Sequence, residues 1–399
     1  MYKVATLNKI SKVGLDRFTE LYDIVDGAEG PSGLKDASGV LVRSQVMHDM
    51  EMPETLLAIA RAGAGVNNIP LDKCADQGIV VFNTPGANAN SVKELVLGAL
   101  IMSSRNMSES IAWVNSLKDN PEIEDIAKEV EKGKSKFAGH EILGHTLGVL
   151  GLGAIGAMVA NAAIGLGMKV VGYDPYLSPA ARERLLFDVK VVDTPEELMA
   201  ESDFVSIHIP SMDSTNGMID KALLSHAKEG FILLNFSRDK LVVEQDVLDA
   251  LSSGKMAKYV TDFATAGIMD VPGVTIMPHL GASTEEAEDN CAIMAAEELM
   301  AFIEKGEIKN SVNFPNINLE MAGEAALTGE DAKNRVVILT KGEPHPDKLI
   351  AAMFANKEAK AVVGAVRGDY GVAILTTDDD ITEVPAVDEV LKVRVISRD

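Results

Sequence analysis

Two side chains in this sequence suit the handling of a small hydroxy or keto acid. Arg238 stands in Leu234-Asn235-Phe236-Ser237-Arg238-Asp239, just after an apolar run that reads as a buried strand. A planar guanidinium pairs with a carboxylate through two parallel N–H bonds, which makes Arg238 a candidate anchor. His279 stands in Met277-Pro278-His279-Leu280-Gly281, held between a strand end, a proline and a glycine. An imidazole titrates near neutrality and can take or give a hydroxyl proton. Taken singly, neither residue is decisive, because arginines also bridge surface acids and a lone histidine is commonly structural. His48, His140, His226 and His345 have no comparable context, and His145 precedes a strand where it packs or faces solvent.

The stretch that must position this chemistry runs from Thr146 to Pro175, TLGVLGLGAIGAMVANAAIGLGMKVVGYDP. It reads as a buried strand, a glycine-rich turn, a helix and a second strand ending in an acid. The turn is Gly151-x-Gly153-x-x-Gly156, with Ala154 and Ile155 opening the helix. Gly151 permits a tight turn, Gly153 lets backbone approach a pyrophosphate, and Gly156 lets the helix pack closely on the strand. The helix N-terminus offers free N–H groups and a positive dipole end to phosphates. Asp174, at the tip of the next strand, suits a ribose 2′,3′-diol and repels a 2′-phosphate, which favours NAD over NADP. A membrane helix is the rival reading of this apolar window. Its six glycines and the strand-like segment after Lys169 argue against that.

Length and charge bound the rest. A chain of 399 residues suggests two or three domains, and 47% apolar with 24% charged residues is a soluble globular composition. The formal net charge of −23 disfavours nucleic acid and anionic membrane as partners, so an anionic substrate needs a local basic pocket. Cys74 and Cys291 lack metal spacing and read as buried thiols, so no metal is expected. The first residues, MYKVATLNKI, hold no signal-peptide apolar core, and a cytoplasmic location is expected.

Along the chain, Val40–Val42 and Ile79–Phe82 read as strands, Pro53–Arg61 as a helix, and Ser91 to about Ser103 as a long helix with Ser91 and Glu94 forming a capping box. A charged helical stretch follows to about residue 140. After the glycine turn, strands at 203–208, 231–235, 259–262 and 274–277 alternate with helices at 196–201, 221–227 and 244–251. That alternation implies a parallel, doubly wound sheet, whose ligands bind beyond the carboxyl ends of the strands. His208, Arg238, Asp262 and His279 all fall there. A helix over residues 284–304 precedes an acidic stretch, 318–333, that reads as a linker. Residues 336–397 then run strand (336–340), helix (347–356), strand (360–366), strand (370–376), helix (384–391) and strand (392–397), a ferredoxin-like order.

The glycine fingerprint, Asp203-Phe204-Val205-Ser206-Ile207-His208-Ile209-Pro210, the Arg238 loop, Thr261-Asp262-Phe263 and the His279 segment occur in the order seen in D-2-hydroxyacid dehydrogenases. Leu41-Val42-Arg43-Ser44, Arg61-Ala62-Gly63-Ala64-Gly65-Val66-Asn67-Asn68 and Phe82-Asn83-Thr84-Pro85-Gly86 resemble the phosphoglycerate-oxidising members of that family. The resemblance covers residues 1 to about 315. It implies a Rossmann-type NAD domain (96–289) inserted into a flavodoxin-like α/β substrate domain (1–95 and 290–317), a linker (318–333), and a small C-terminal ferredoxin-like, ACT-type domain (334–399).

It further implies that Arg238 anchors the α-carboxylate and His279 is the acid/base. Gly151, Gly153, Ala154, Ile155, Gly156, Asp174, His208, Pro210, Asp262 and Gly281 line the cofactor. Arg43, Ser44, Arg61, Gly63, Ala64 and Gly65 take the substrate, with Lys134 or Lys136 as further cations. The implied reaction is NAD-dependent oxidation of D-3-phosphoglycerate to 3-phosphohydroxypyruvate, towards serine, in a homodimer or homotetramer. Alternatives are a glyoxylate/hydroxypyruvate or other D-2-hydroxyacid reductase, and a NAD-sensing, corepressor-like scaffold.

The chain departs from the family in two places. A Glu usually follows the Asp262-type aspartate and pairs with the histidine, but Asp262 to Gly267 holds none, and Asp270 is the only acid left in that loop. The loop where an ACT-type effector would bind, Lys341 to Pro346, is proline-rich. Serine binding and a purely oligomerising role therefore stand side by side for the tail.

Overall fold

The computed structural model describes residues 1–28, 30, 32–120, 123–186, 189–342, 344, 358–381 and 387–397. The chain divides into two compact units, one of Met1–Asn88 with Glu285–Asp399, the other of Ala89–Thr284.

The first unit holds a five-stranded parallel sheet of β1 (Tyr2–Leu7), β2 (Tyr22–Asp26), β3 (Gly39–Val42), β4 (Ala58–Arg61) and β5 (Val80–Asn83). Its order, β2-β1-β3-β4-β5, is the flavodoxin-like winding. Strands covered on both faces read as unbroken apolar runs, as β3 and β5 do. One face is covered by the helix Glu285–Lys305, whose Ala292, Ala295, Leu299, Phe302 and Ile303 share a core with Leu41, Ala60, Val80 and Phe82. On the same helix Glu298 is 6% exposed. Its Oε1 accepts from Asn310 Nδ2 at 2.6 Å, while Oε2 has no partner among the described residues. Burial pushes its pKa up to about 8.

The structure corrects the reading of Pro53–Arg61 as a helix. Glu54 and Thr55 lie in a turn, and Ala58–Arg61 is the fourth strand. Alanine and leucine favour helix. Here Ala58, Ile59 and Ala60 are wholly buried between β3 and β5, and that packing overrides propensity. The stretch read as a linker holds a 3-10 turn, Leu319–Ala322, and a short helix, Ala325–Glu330, with Leu319 fully buried in the unit's core.

Residues 334–397 form an antiparallel sheet of β13 (Asn334–Lys341), β14 (Ala361–Arg367), β15 (Tyr370–Thr377) and β16 (Val390–Ser397), in the ferredoxin-like order β14-β15-β13-β16. The helix expected over 347–356 lies outside the described residues, as do 384–386 of the second. Asp388 and Glu389 form a turn, and Val390 opens β16. Two buried arginines fix the sheet to the rest of the unit. Arg394 donates from Nη1 to Phe302 O at 2.9 Å and from Nη2 to Ile303 O at 2.8 Å, with the Phe302 ring centroid 5.1 Å away. Arg335 Nη1 donates to Lys305 O at 2.8 Å. These bonds satisfy the last carbonyls of the helix Glu285–Lys305 and oppose its negative dipole end.

The second unit is a seven-stranded parallel sheet. Its strands are β6 (Thr146–Leu150), β7 (Lys169–Tyr173), β8 (Lys190–Val191), β9 (Phe204–Ile207), β10 (Phe231–Asn235), β11 (Met256–Thr261) and β12 (Val274–Ile276). The order β12-β11-β10-β9-β6-β7-β8 reverses direction between β6 and β9, the switch point where such sheets bind ligands. The helix Ala89–Ser104 packs Val92, Val96 and Leu100 against Val159, Ala160 and Ala163 of the helix Ala154–Gly165. Ser91 lies inside the first of these helices and donates to Gly281 O at 2.8 Å, so the expected capping box is absent. Among the described residues no helix is long and apolar enough to cross a membrane.

Candidate active site

The turn after β6 has the geometry its glycines require. Gly151 sits at φ +95°, and a β-carbon there would lie 2.7 Å from His208 O. A β-carbon on Gly156 would lie 1.9 Å from Gly151 O, so only glycine lets the helix approach this closely. Gly153 caps the helix Ala154–Gly165 and faces open space, where a phosphate can meet the first-turn N–H groups of Ala154 and Ile155. Asp174 does more than present an acid. Its Oδ2 accepts from Leu152 N and its Oδ1 from Tyr176 N, each at 2.9 Å, which ties the glycine turn to the tip of β7. Each oxygen keeps a lone pair for a diol. His208 Nε2 lies 2.8 Å from Ser206 Oγ, and burial pushes its pKa down to about 3, so the ring is neutral near pH 7. Pro210 is exposed beyond it.

The reactive end is built from the loops after β10, β11 and β12. Asn235, fully buried, holds the first of them. Its Nδ2 donates to Arg238 O at 2.9 Å and to Tyr259 Oη at 3.3 Å, and its Oδ1 accepts from Ser237 N at 3.2 Å. Arg238 then projects into solvent, with Nη1 donating to Ser237 O at 2.6 Å.

Asp262, 2% exposed, accepts from Gly281 N at 3.0 Å through Oδ2, while Oδ1 has no partner among the described residues. Burial raises its pKa, and the Gly281 N–H, the His279 ring and Arg238 pull it back. Arg238 and His279 thus act on one carboxylate. His279 adopts φ +47°, a left-handed conformation that costs a non-glycine residue about 1 kcal/mol and persists only where its surroundings impose it. Its N–H donates to Asp262 O at 2.9 Å, and its ring meets Phe263 edge-on with centroids 5.0 Å apart. Asp270 lies in an exposed turn at φ +58°. Among the described residues the histidine ion pair is His145 with Asp203, so Asp270 does not replace the missing Glu by a direct contact.

In the first unit the ends of β3 and β4 bring Arg43 and Arg61 together. Arg61 Nε donates to Arg43 O at 3.0 Å, and its guanidinium lies over Gly63, where a β-carbon would sit 2.0 Å from Nη1. Arg43 is paired with Glu288 at 2.7 Å. Ser44 is exposed, and its N–H donates to Asn8 Oδ1 at 3.0 Å. Ala64 O accepts from Asn83 Nδ2 at 2.6 Å, and Gly65 lies in the same loop. Lys134 pairs with Glu131 at 2.6 Å, and Lys136 Nζ sits 4.0 Å from the Trp113 ring centroid. Asn8, Asn235 and Tyr259 carried no signal in the sequence, since their roles arise only across strands.

Residues 97–281 match the NAD binding domain of the D-isomer specific 2-hydroxyacid dehydrogenase family. The chain is similar to D-3-phosphoglycerate dehydrogenases. It is 34% identical over 338 residues to that of Methanocaldococcus jannaschii, covering 82% of this chain and 62% of the relative. Against that of Mycobacterium leprae it is 34% identical over 370 residues, covering 89% and 66%. The chain thus spans just under two thirds of these relatives' length. The holo form of D-mandelate dehydrogenase from Rhodotorula graminis shares the fold, with a TM-score of 0.68, 23% identity, and 79% of this chain and 98% of that one covered.

Proposed function

We propose that the chain oxidises D-3-phosphoglycerate to 3-phosphohydroxypyruvate with NAD, as a step towards serine. One observation carries the reading: buried Asp262, whose backbone O accepts from His279 N at 2.9 Å, keeps Oδ1 without a donor among the described residues. A nicotinamide carboxamide offers an N–H donor of the kind that oxygen needs. The Gly153 space and the first-turn amides fit a pyrophosphate, and Asp174 fits a diol.

Bound NAD supplies the hydride acceptor, and the chain does the rest. Arg238 holds the substrate carboxylate and sets the orientation of C2. His279 Nδ1 or Nε2 takes the C2 hydroxyl proton as the C2–H bond breaks and the C=O bond forms. Arg43 and Arg61 supply positive charge for the phosphate in a chain of net charge −23. We read residues 1–95 with 290–317 as the substrate domain, 96–289 as the NAD domain, 318–333 as a link and 334–399 as an ACT-type domain. We further read the working form as a dimer or tetramer.

The test is a panel of 2-hydroxy acids assayed with NAD and NADP. Turnover of phosphoglycerate with NAD is expected, and Arg61→Gln should raise KM for it at least about tenfold while moving KM for an unphosphorylated acid about twofold or less. Equal effects on both would point to a glyoxylate/hydroxypyruvate type of reductase.

A further inference from the structure

His279 has an exposed ring, a left-handed backbone and, among the described residues, no acid paired with it, so something else must fix the plane of its imidazole. The loop that carries its ring contact is held from an unexpected quarter. Glu244, the first residue of the helix Glu244–Ser252, reaches across to it. Thr265 Oγ1 donates to Glu244 Oε2, and Glu244 Oε1 lies 1.9 Å from where a β-carbon at position 267 would stand. The Glu244 carboxylate therefore fills the volume that a side chain at 267 would take. Beside it, Asp239, Glu244, Tyr259, Phe263 and Thr265 line a cavity of about 30 Å³, room for roughly one water. Two residues before Thr265, Phe263 presents its ring to His279 at an interplanar angle of 65°. A glutamate opening a helix is expected from the dipole alone. The dipole explains neither the Thr265 bond nor the occupation of the space over Gly267.

We infer that Glu244 is a positioning residue for His279: it clamps the Thr265–Gly267 backbone, and through that loop Phe263 fixes the imidazole plane. The inference rests on His279 as the proton-transfer group proposed above. A glutamate on a neighbouring helix thus serves a loop that has no acid of its own at 263–267.

The test uses the full chain with labelled histidine and two readouts, steady-state kinetics with phosphoglycerate and the His279 ring C–H signals. The ring signals, assigned by their loss in His279→Gln, are displaced by the Phe263 ring current and need no turnover. Glu244→Ala should lower kcat about tenfold while KM stays within about twofold, because orientation rather than binding is lost. Glu244→Gln, which keeps an acceptor for Thr265, should stay within about threefold of the parent. The double variant Glu244→Ala with Gly267→Glu returns a carboxylate to the same volume and should recover most of the rate. Gly267→Glu alone, forcing two carboxylates into one space, should not. The ring signals should follow the same order. A Glu244→Ala chain whose ring signals stay put overturns the clamp, whatever its kcat. Signals that follow Glu244 in a chain that turns over no 2-hydroxy acid would support the clamp and overturn the proposed function instead.

Discussion

Among the described residues two carboxyl groups are buried with one oxygen unpaired, one in each unit, and they differ in what surrounds them. Asp262 lies just after β11 with a backbone N–H on one oxygen, and the His279 ring and Arg238 oppose the effect of its burial. Glu298 lies midway along a helix with the Asn310 amide as its donor, and Lys309 and Glu297 exert opposing effects on its charge. Leaving a buried acceptor unmade costs about 1–3 kcal/mol in either place. At Asp262 a backbone N–H, the His279 ring and Arg238 oppose the effect of burial, and the unpaired Oδ1 suits a donor from a ligand. At Glu298 burial prevails, and the group is better read as a proton held by the fold.

Experiments can sharpen or break that contrast. The largest effect should come from His279→Gln, which removes the proton acceptor beside Asp262 and should lower kcat about 10³-fold with NAD affinity little changed. An intact kcat would break the reading of this end of the sheet. Next, Asp262→Ala should weaken NAD binding by about 10- to 100-fold in calorimetry, the worth of a hydrogen bond to a charged group. Glu298→Gln should leave that affinity alone. The smallest effect is one of pH. A group that binds its proton more tightly folded than unfolded favours the folded state at low pH. Stability therefore falls as pH rises from roughly 5 through the folded value of about 8. The melting temperature should drop over that range by an amount worth roughly 2–4 kcal/mol, and Glu298→Gln should flatten the drop. A profile unchanged by that substitution would mean that Glu298 ionises freely, and the contrast would fail.

What the sequence disclosed follows from where local chemistry is forced. The turn at Gly151–Gly156 needs glycine at Gly151 for its positive φ and at Gly156 for the close approach of its own backbone, and that spacing could be read directly. Strands such as β3, β9 and β10 announce themselves as short apolar runs because they are buried along their whole length, whereas β1, β2 and β8, partly exposed, did not. Ala58–Arg61 did not, because small helix-favouring residues make a strand only once β3 and β5 flank them. Arg238 and His279 were legible as residue types in a context. Their supports were not: Asn235 reaching Arg238, Glu244 reaching Thr265 and the positive φ of His279 depend on chain segments meeting in space.

The arginines on β13 and β16 mean that the tail cannot be treated as a detachable accessory. Cutting the chain before Asn334 would remove both guanidinium groups, take their bonds from the carbonyls of Phe302, Ile303 and Lys305, and leave Phe302 without its covering cation. That helix also carries much of the apolar surface packed on the five-stranded sheet. A shortened chain would then fray from the middle of its own interior, and any loss of catalysis in it would say nothing about regulation.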